Sequence, residues 1–292
     1  MGPSAVGKTA FALQLAREEN AEIVNADAFQ IYQGLNLLTG KPDHAQQLEI
    51  RHHLLGAISP MEEMSAGRFC NLAQAALADI AGRGMRALVV GGTGLYVKTL
   101  THGLDHNPPP DRALRAELMQ LSLPQLQKRL QQLAPALATR IDLKNHRRVT
   151  RAIEITTAKD HPKKTSPPAG NELPIPHPGI VLTRDRDDLY RRINERVNKM
   201  FADGVEAEVR ATIDIGPTAR RAIGFEIITQ LLAGAISRAQ AIDQMQQATR
   251  RYAKRQLTWF RRQTTFSELN LTALSQPEAI SAIRQMMRTA QR

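Results

Sequence analysis

The sequence predicts an α/β fold, a parallel sheet flanked by helices and interrupted by a helical insertion. Three observations predict it. In the first third of the chain, helical patterns alternate with short apolar runs. A G-x-x-x-x-G-K-[ST] match, "GPSAVGKT", opens directly onto a helical pattern. A Pro-rich break, "DHNPPPD" at 105–111, is followed by helical segments without a strand signal from Arg112 to about Ala158.

The elements follow in order. "KTAFALQLAREE" reads as a helix with Phe11 and Leu15 on its apolar face. "AEIVNAD" is a short strand ending in polar residues. "SAGRFCNLAQAALADIAGRG" is a helix that Ser65 caps and Gly82 or Gly84 stops. "MRALVVGG" is a buried strand closed by glycines. Beyond the helical segments, "KDHPKKTSPPAGNELPIPHPG" reads as a linker, "GIVLT" returns as a strand, and "DDLYRRINERVNKMFADG" is a helix stopped by Gly204. The organisation is therefore a P-loop NTPase-like core at 1–106 and 179–292, with a helical insertion and its linker at 107–178.

Bulk composition narrows the function. The 292 residues, 42% hydrophobic, suffice for one large domain or two modest ones. No apolar run approaches the ~18 residues of a membrane span. The first residues lack the basic and apolar regions of a signal peptide. Cys70 is the single cysteine, which excludes an internal disulfide and suits a reducing cytoplasm. The net charge of +11 favours a polyanionic partner, either nucleic acid or a membrane surface.

Gly2, Pro3, Ser4, Ala5, Val6, Gly7, Lys8 and Thr9 form the expected phosphate cradle. Small residues let backbone N–H groups converge on phosphate oxygens, and the helix N-terminus adds partial positive charge. Lys8 would neutralise an outer phosphate, and the Thr9 hydroxyl would hold a Mg²⁺ shared with the phosphates. Such loops normally follow a buried strand. Only Met1 stands before this one, so a central strand is expected to be missing from the sheet. Asp27 ends a strand, which in a parallel sheet places it in the ligand crevice as a base or metal partner, although a turn aspartate would look the same. Gly91-Gly92-Thr93-Gly94 follows the next strand and should open onto the same crevice. His52 and His53 are adjacent and so point oppositely along a strand. With no third ligand at metal spacing, they read as structural or surface residues.

Two stretches are basic. "NHRRVTRAIEI" carries Arg147, Arg148 and Arg151, and "QATRRYAKRQLTWFRRQ" carries six cations, with Arg251, Arg255 and Arg262 on one helical face. Tyr252, Trp259 and Phe260 are interleaved. Basic groups neutralise nucleic-acid phosphates and aromatics stack on unpaired bases, although solvated charge over core aromatics gives the same pattern. Together with the net charge, the two stretches favour RNA.

In order along the chain, GPSAVGKT, NADAFQIYQG, TGKP, RHHLL, GGTGLY, RRVTRAIE, DRDDLYRRINERVNKMFADGVEAEV, RAIGF and KRQLTWFR resemble the tRNA dimethylallyltransferase (tRNA isopentenyltransferase) family over almost the whole sequence. The resemblance implies transfer of a dimethylallyl group from dimethylallyl diphosphate to the exocyclic amine of an adenosine. That adenosine lies 3′ of the anticodon in tRNAs that read codons beginning with U. It also implies a P-loop, nominally an ATP-binding signature, used for the donor diphosphate with help from Mg²⁺. Asp27 matches the general base, and Thr93 and Arg115 match positions flanking the transfer site. Matches to tRNA-contacting stretches include Asp27, Ala28, Phe29 and Gln30; Arg147, Arg148, Val149, Thr150 and Arg151; Arg221, Gly224 and Phe225; and Lys254, Arg255, Gln256, Trp259 and Arg261. The partners implied are the anticodon stem-loop of tRNA and dimethylallyl diphosphate, without a membrane, for a monomeric cytoplasmic enzyme.

The sequence departs from that pattern at Ser4, Val6, Gly56 and Arg68, and at Phe225-Glu226, where Glu226 reverses the usual charge. Transfer to free adenine nucleotides, RNA binding without catalysis, and an ATP-dependent small-molecule kinase are the other readings. The basic helices favour tRNA over free nucleotide, and intact Lys8, Thr9 and Asp27 favour catalysis.

Overall fold

The computed structural model describes residues 1–103, 108, 111–158, 179–212 and 214–289. The chain divides into two compact units, Met1–Gly103 with Pro174–Arg292, and Leu104–Leu173. The linker expected from 159 to 178 lies outside the described residues. The first unit begins α1 (Lys8–Glu19), β1 (Ala21–Asn25), α2 (Asn36–Thr39), α3 (His44–Glu49), β2 (His52–His53), α4 (Ala66–Gly82), β3 (Arg86–Val90) and α5 (Gly94–His102). The second unit holds α6 (Arg112–Met119), α7 (Leu123–Leu133), α8 (Pro135–Ala138) and α9 (His146–Thr157). The first unit resumes with β4 (Ile180–Thr183), α10 (Arg186–Ala202), α11 (Val205–Ala211), α12 (Phe225–Leu232), α13 (Arg238–Gln263), β5 (Ser267–Asn270) and α14 (Gln276–Thr289).

Local chemistry sets these boundaries. α4 starts where the Ser65 side chain accepts from the Arg68 N–H, and it ends at Gly82. α10 stops one residue short of Gly204, whose φ of 91° leaves the helical region. β1 is buried along its whole length, as a strand covered on both faces must be. It pairs in parallel with β2 (Ile23 opposite His52) and with β3 from Ala21 opposite Arg86 to Asn25 opposite Val90. The result is a mixed α/β unit with little sheet and many helices.

The strands do not form the single sheet that the sequence suggested. Among the described residues there are two parallel ladders, β2-β1-β3 and β4-β5. β5, "SELN", escaped sequence analysis because it is mostly exposed and polar. Met1 and Gly2 run between the ladders. The Met1 amino group donates to Ile180 O (2.8 Å), Leu182 N donates to Met1 O (2.8 Å) and Gly2 N donates to Gly91 O (3.3 Å). Beyond Met1 lies a groove of about 540 Å³ walled by apolar side chains of α1, β3, β4 and α14. Burial, and secondarily Lys8, push the Met1 amine down to about 5, so folding deprives it of its charge at neutral pH.

The smaller unit has its own core of Leu118, Leu126, Leu130, Val149 and Ile153. Its buried Glu154 carboxylate accepts a bidentate pair of bonds from Arg115 (2.7 and 2.9 Å) and one from Arg151 (2.9 Å). Burial raises the Glu154 pKa, but the two guanidinium groups outweigh it and hold the carboxyl below its usual range.

Joining an apolar segment of about five residues ahead of Met1 would give β3 and β4 a common partner and turn the buried amine into an amide. The melting temperature should rise, by about 2–4 °C for each kcal/mol gained. Circular dichroism on the extended and unextended chains checks this, and no rise would show that the groove does not accept a strand.

Candidate functional site

The site begins with the loop ahead of α1. Gly7 takes a left-handed φ of 109° and serves as the helix N-cap without a side-chain cap bond, so the first N–H groups of α1 are left facing the loop. Lys8 Nζ folds over the loop and donates to Gly2 O (2.9 Å) and Pro3 O (2.8 Å). Beside it lies a pocket of about 520 Å³ whose lining includes Lys8, Thr9, Asp27, Lys41, Arg192 and Arg196.

The cations of this pocket bond mainly to backbone oxygens. Arg192 Nε donates to Ala5 O (3.1 Å) and Arg196 Nη2 to Thr39 O (2.9 Å). Lys41 Nζ donates to Tyr32 O (2.5 Å) and to Asn36 Oδ1 (2.9 Å). Lys8 is pushed down to about 8, first by burial and then by Arg196, against the pull of Asp27. Lys41 is also lowered to about 8 by burial, which Glu208 opposes. Burial lowers Arg192 and Arg196 as well. Sequence reasoning missed Lys41, Arg192 and Arg196. Arg192 and Arg196 did leave a signal: they are four apart on an amphipathic helix, and so share a face.

Asp27 and Thr93 follow β1 and β3, which are neighbours, and the two loops meet. Thr93 N donates to Ala26 O (3.2 Å), and Ala28 N donates to Thr93 Oγ1 (2.9 Å). Asp27 Oδ1 accepts from Phe29 N (2.9 Å) and Gln30 N (3.3 Å), which fixes the carboxylate on the pocket wall. Gln30 Nε2 donates to Thr39 O and Gly40 O (3.2 and 3.0 Å), tying this turn to the segment that carries Lys41. A second, smaller cavity shares Asp27 and Arg196 with the first but is lined by Phe29, Leu38, Val197, Met200, Ile223 and Met245. Asp27 therefore stands between a cationic pocket and an apolar one. His52 lines the cationic pocket, with Nδ1 2.6 Å from Ile50 O, whereas His53 Nε2 meets Glu22 at 2.6 Å.

α13 has two faces. Arg251, Lys254, Arg255 and Arg262 are exposed. Arg255 stacks on the Tyr252 ring at 5.6 Å, and Arg261 pairs with Glu268 (2.9 Å). On the opposite side, Tyr252 bonds to Thr93, and Trp259 packs against Gly94 so closely that a side chain there would collide with the indole. Gln256 is buried.

Part of the expected tRNA-contact set is buried. Val149 and Thr150 belong to the interior of the smaller unit, and Phe225 to that of the larger. Gly224, with φ of 96°, starts α12 against Met245 and Leu38. Buried side chains have no face to offer a large ligand; within these stretches Arg147, Arg148 and Arg221 are exposed and Arg151 is half-buried. Arg115 belongs to the smaller unit, where it holds Glu154.

The model of one family, IPP transferase, matches residues 30–263, most of the chain. The chain belongs to the IPP transferase family. It is similar to tRNA dimethylallyltransferase 1 of Citrifermentans bemidjiense, 39% identical over 265 residues that cover 89% of this chain and 87% of that protein. The tRNA dimethylallyltransferase of Geobacillus kaustophilus is 38% identical, covering 94% and 90%. The crystal structure of the full-length tRNA isopentenylpyrophosphate transferase from Bacillus halodurans is similar with a TM-score of 0.72 and 31% identity, covering 99% of this chain and 96% of that one.

An anion held by Lys8 would need its charged form, so affinity for pyrophosphate should be full below about pH 8 and fall as pH rises through it, by up to about tenfold per unit. Calorimetric titration with inorganic pyrophosphate between about pH 7 and pH 9 measures this. Lys8→Arg should flatten the profile, because a guanidinium does not titrate there. Identical profiles would remove Lys8 as the titrating group.

Proposed function

We propose that this transferase moves a dimethylallyl group from dimethylallyl diphosphate to the exocyclic amine of the adenosine 3′ of the anticodon, in tRNAs that read codons beginning with U. The observation that carries this reading is the position of Asp27, between a cationic pocket and an apolar one. The first suits a diphosphate and the second a short hydrocarbon. A P-loop NTPase-like core would thus hold an isoprenoid donor rather than ATP.

The chemistry follows from that arrangement. The allylic carbon becomes electrophilic as negative charge builds on the departing diphosphate. Lys8, Arg192, Arg196 and the α1 N–H groups are placed to stabilise that charge. The amine nitrogen forms the new N–C bond as the C–O bond breaks, and Asp27 takes the proton that the amine loses. Thr93, bonded to Ala28 N and Tyr252, orders the wall against which the adenine would sit. The target base must leave the stack of its loop to reach such a pocket.

Mg²⁺ fits this donor set as a companion of the substrate. No group of three His, Cys, Asp or Glu suited to a metal occurs among the described residues. The Thr9 hydroxyl and phosphate oxygens are hard ligands of the kind Mg²⁺ takes when it arrives with a phosphate. When bound, the ion would add neutralising charge at the leaving group. The exposed cations of α13, with Arg147, Arg148 and Arg221, would carry the tRNA backbone. No helix among the described residues is long and apolar enough to cross a membrane. We read the enzyme as a cytoplasmic monomer.

A prenylation assay with labelled donor, comparing unmodified tRNA with free AMP, tests the reading; labelling of AMP alone would overturn it. Asp27→Asn should lower kcat by about 10²- to 10⁴-fold while changing tRNA affinity less than about threefold. Equal losses in both would remove Asp27 as the base. Arg255→Ala should weaken tRNA binding and lower the slope of log affinity against log salt by about one unit. An unchanged slope would assign Arg255 a structural role.

A further inference from the structure

One buried side chain joins the two loops that the proposed reaction needs. Gln256 lies on the inward face of α13 with 5% of its surface exposed. Its Oε1 accepts from Ser4 N (2.9 Å), in the loop ahead of α1. Its Nε2 donates to Gly92 O (2.9 Å), in the loop that presents Thr93. A Cβ at Gly92 would collide with that Nε2, so the approach requires glycine. Tyr252, one turn earlier, bonds Thr93, and Trp259, about one turn later, packs on Gly94. The same face of α13 therefore touches both loops, and Gln256 is the side chain that hydrogen-bonds both at once among the described residues.

The choice of residue is chemically restrictive. The two partners are an N–H and a carbonyl, so the side chain between them must both accept and donate. A neutral primary amide does so without placing a charge in the interior. A carboxylate of the same shape could accept from Ser4 N but would face Gly92 O with no proton. A leucine would leave both backbone groups unpaired.

We propose that Gln256 is a positioning residue. It fixes the diphosphate-binding loop against the Thr93 loop, so that the leaving group, the allylic carbon and the Asp27–Thr93 wall stay in transfer geometry. This role rests on the prenyl-transfer reading above and replaces the contact with tRNA that the sequence suggested for Gln256. A displacement of about 1 Å between reacting groups is enough to cost about 10²-fold in rate.

The test compares Gln256→Leu and Gln256→Glu with the wild-type enzyme. Thermal melts establish folding, calorimetry with inorganic pyrophosphate reads the diphosphate loop, tRNA binding is followed against salt, and kcat is measured at saturating tRNA. Gln256→Leu should lose about 10²-fold in kcat and several-fold in pyrophosphate affinity, with tRNA affinity and its salt slope unchanged. Gln256→Glu supplies a signature that a merely structural role would not. Its buried carboxyl regains a donor when protonated, so its kcat relative to wild type should climb as the pH falls from about 8 to about 6. The ratio for Gln256→Leu should stay flat. If Gln256→Leu does not fold, this pH-dependent rescue alone decides.

Loss of tRNA affinity with kcat intact would overturn the proposal in favour of a tRNA contact. So would two folded variants with kcat within about threefold of wild type. If the wild-type enzyme transfers no prenyl group, the functional reading fails. Gln256 is then judged on pyrophosphate alone: reduced affinity in the variants supports the brace, and unchanged affinity overturns it.

Discussion

The site depends on cations that are satisfied without being neutralised. Lys8, Lys41, Arg192 and Arg196 share one pocket, and three of them direct their side-chain hydrogen bonds to main-chain carbonyls. Lys41 uses one carbonyl and one side-chain amide oxygen. A carbonyl fixes the geometry of an ammonium or guanidinium but leaves its net charge in place. The cost appears as four lowered pKa values, each with burial as its first cause. Lys8, Lys41, Arg192, Arg196 and Lys199 outnumber the two carboxylates in the lining, Asp27 and Glu195, so the pocket keeps an excess of positive charge that suits an anion. The buried carboxylate of Glu154 in the smaller unit makes the contrast: there the two arginines meet a carboxylate directly instead of main-chain carbonyls.

Holding like charges together requires a scaffold that does not rely on electrostatics. The parallel strands supply part of it, since β1 and β3 end side by side and deliver Asp27 and Thr93 to one wall. α13 supplies the rest. Its inward face is uncharged where it meets the loops, through Tyr252, Gln256 and Trp259, while its outer face carries Arg251, Lys254, Arg255 and Arg262. One helix thus serves both the interior geometry and the polyanion surface. The basic composition of this stretch concealed the first role, because three inward residues are easily read as part of an RNA-binding pattern.

Much of the fold was legible from local chemistry. α1, β1, α4, β3, β4 and α10 lie where apolar period, caps and glycines place them, because those signals act over a few residues. The places of the loop ahead of α1, of Asp27 and of Thr93 were legible for the same reason: each sits next to a recognisable strand or helix. β5 was not legible, since a polar exposed strand owes its pairing to β4 and not to its own four residues. The split of the sheet around Met1 and Gly2 was only half legible. No local pattern showed that Met1 would bond across to β4.

The sequence by itself determined the α/β class, the family resemblance, the glycine-rich loop ahead of α1 and the strand-end residues, because these depend on short-range pattern and residue type. Only the tertiary structure decided which cations face the loop, which of the basic helix's residues turn inward, and which expected tRNA contacts are buried. Lys41, Arg192, Arg196 and Gln256 come from segments that are remote in sequence. Their roles follow from packing of α10 and α13 against the first loops, and no local pattern encodes such distances.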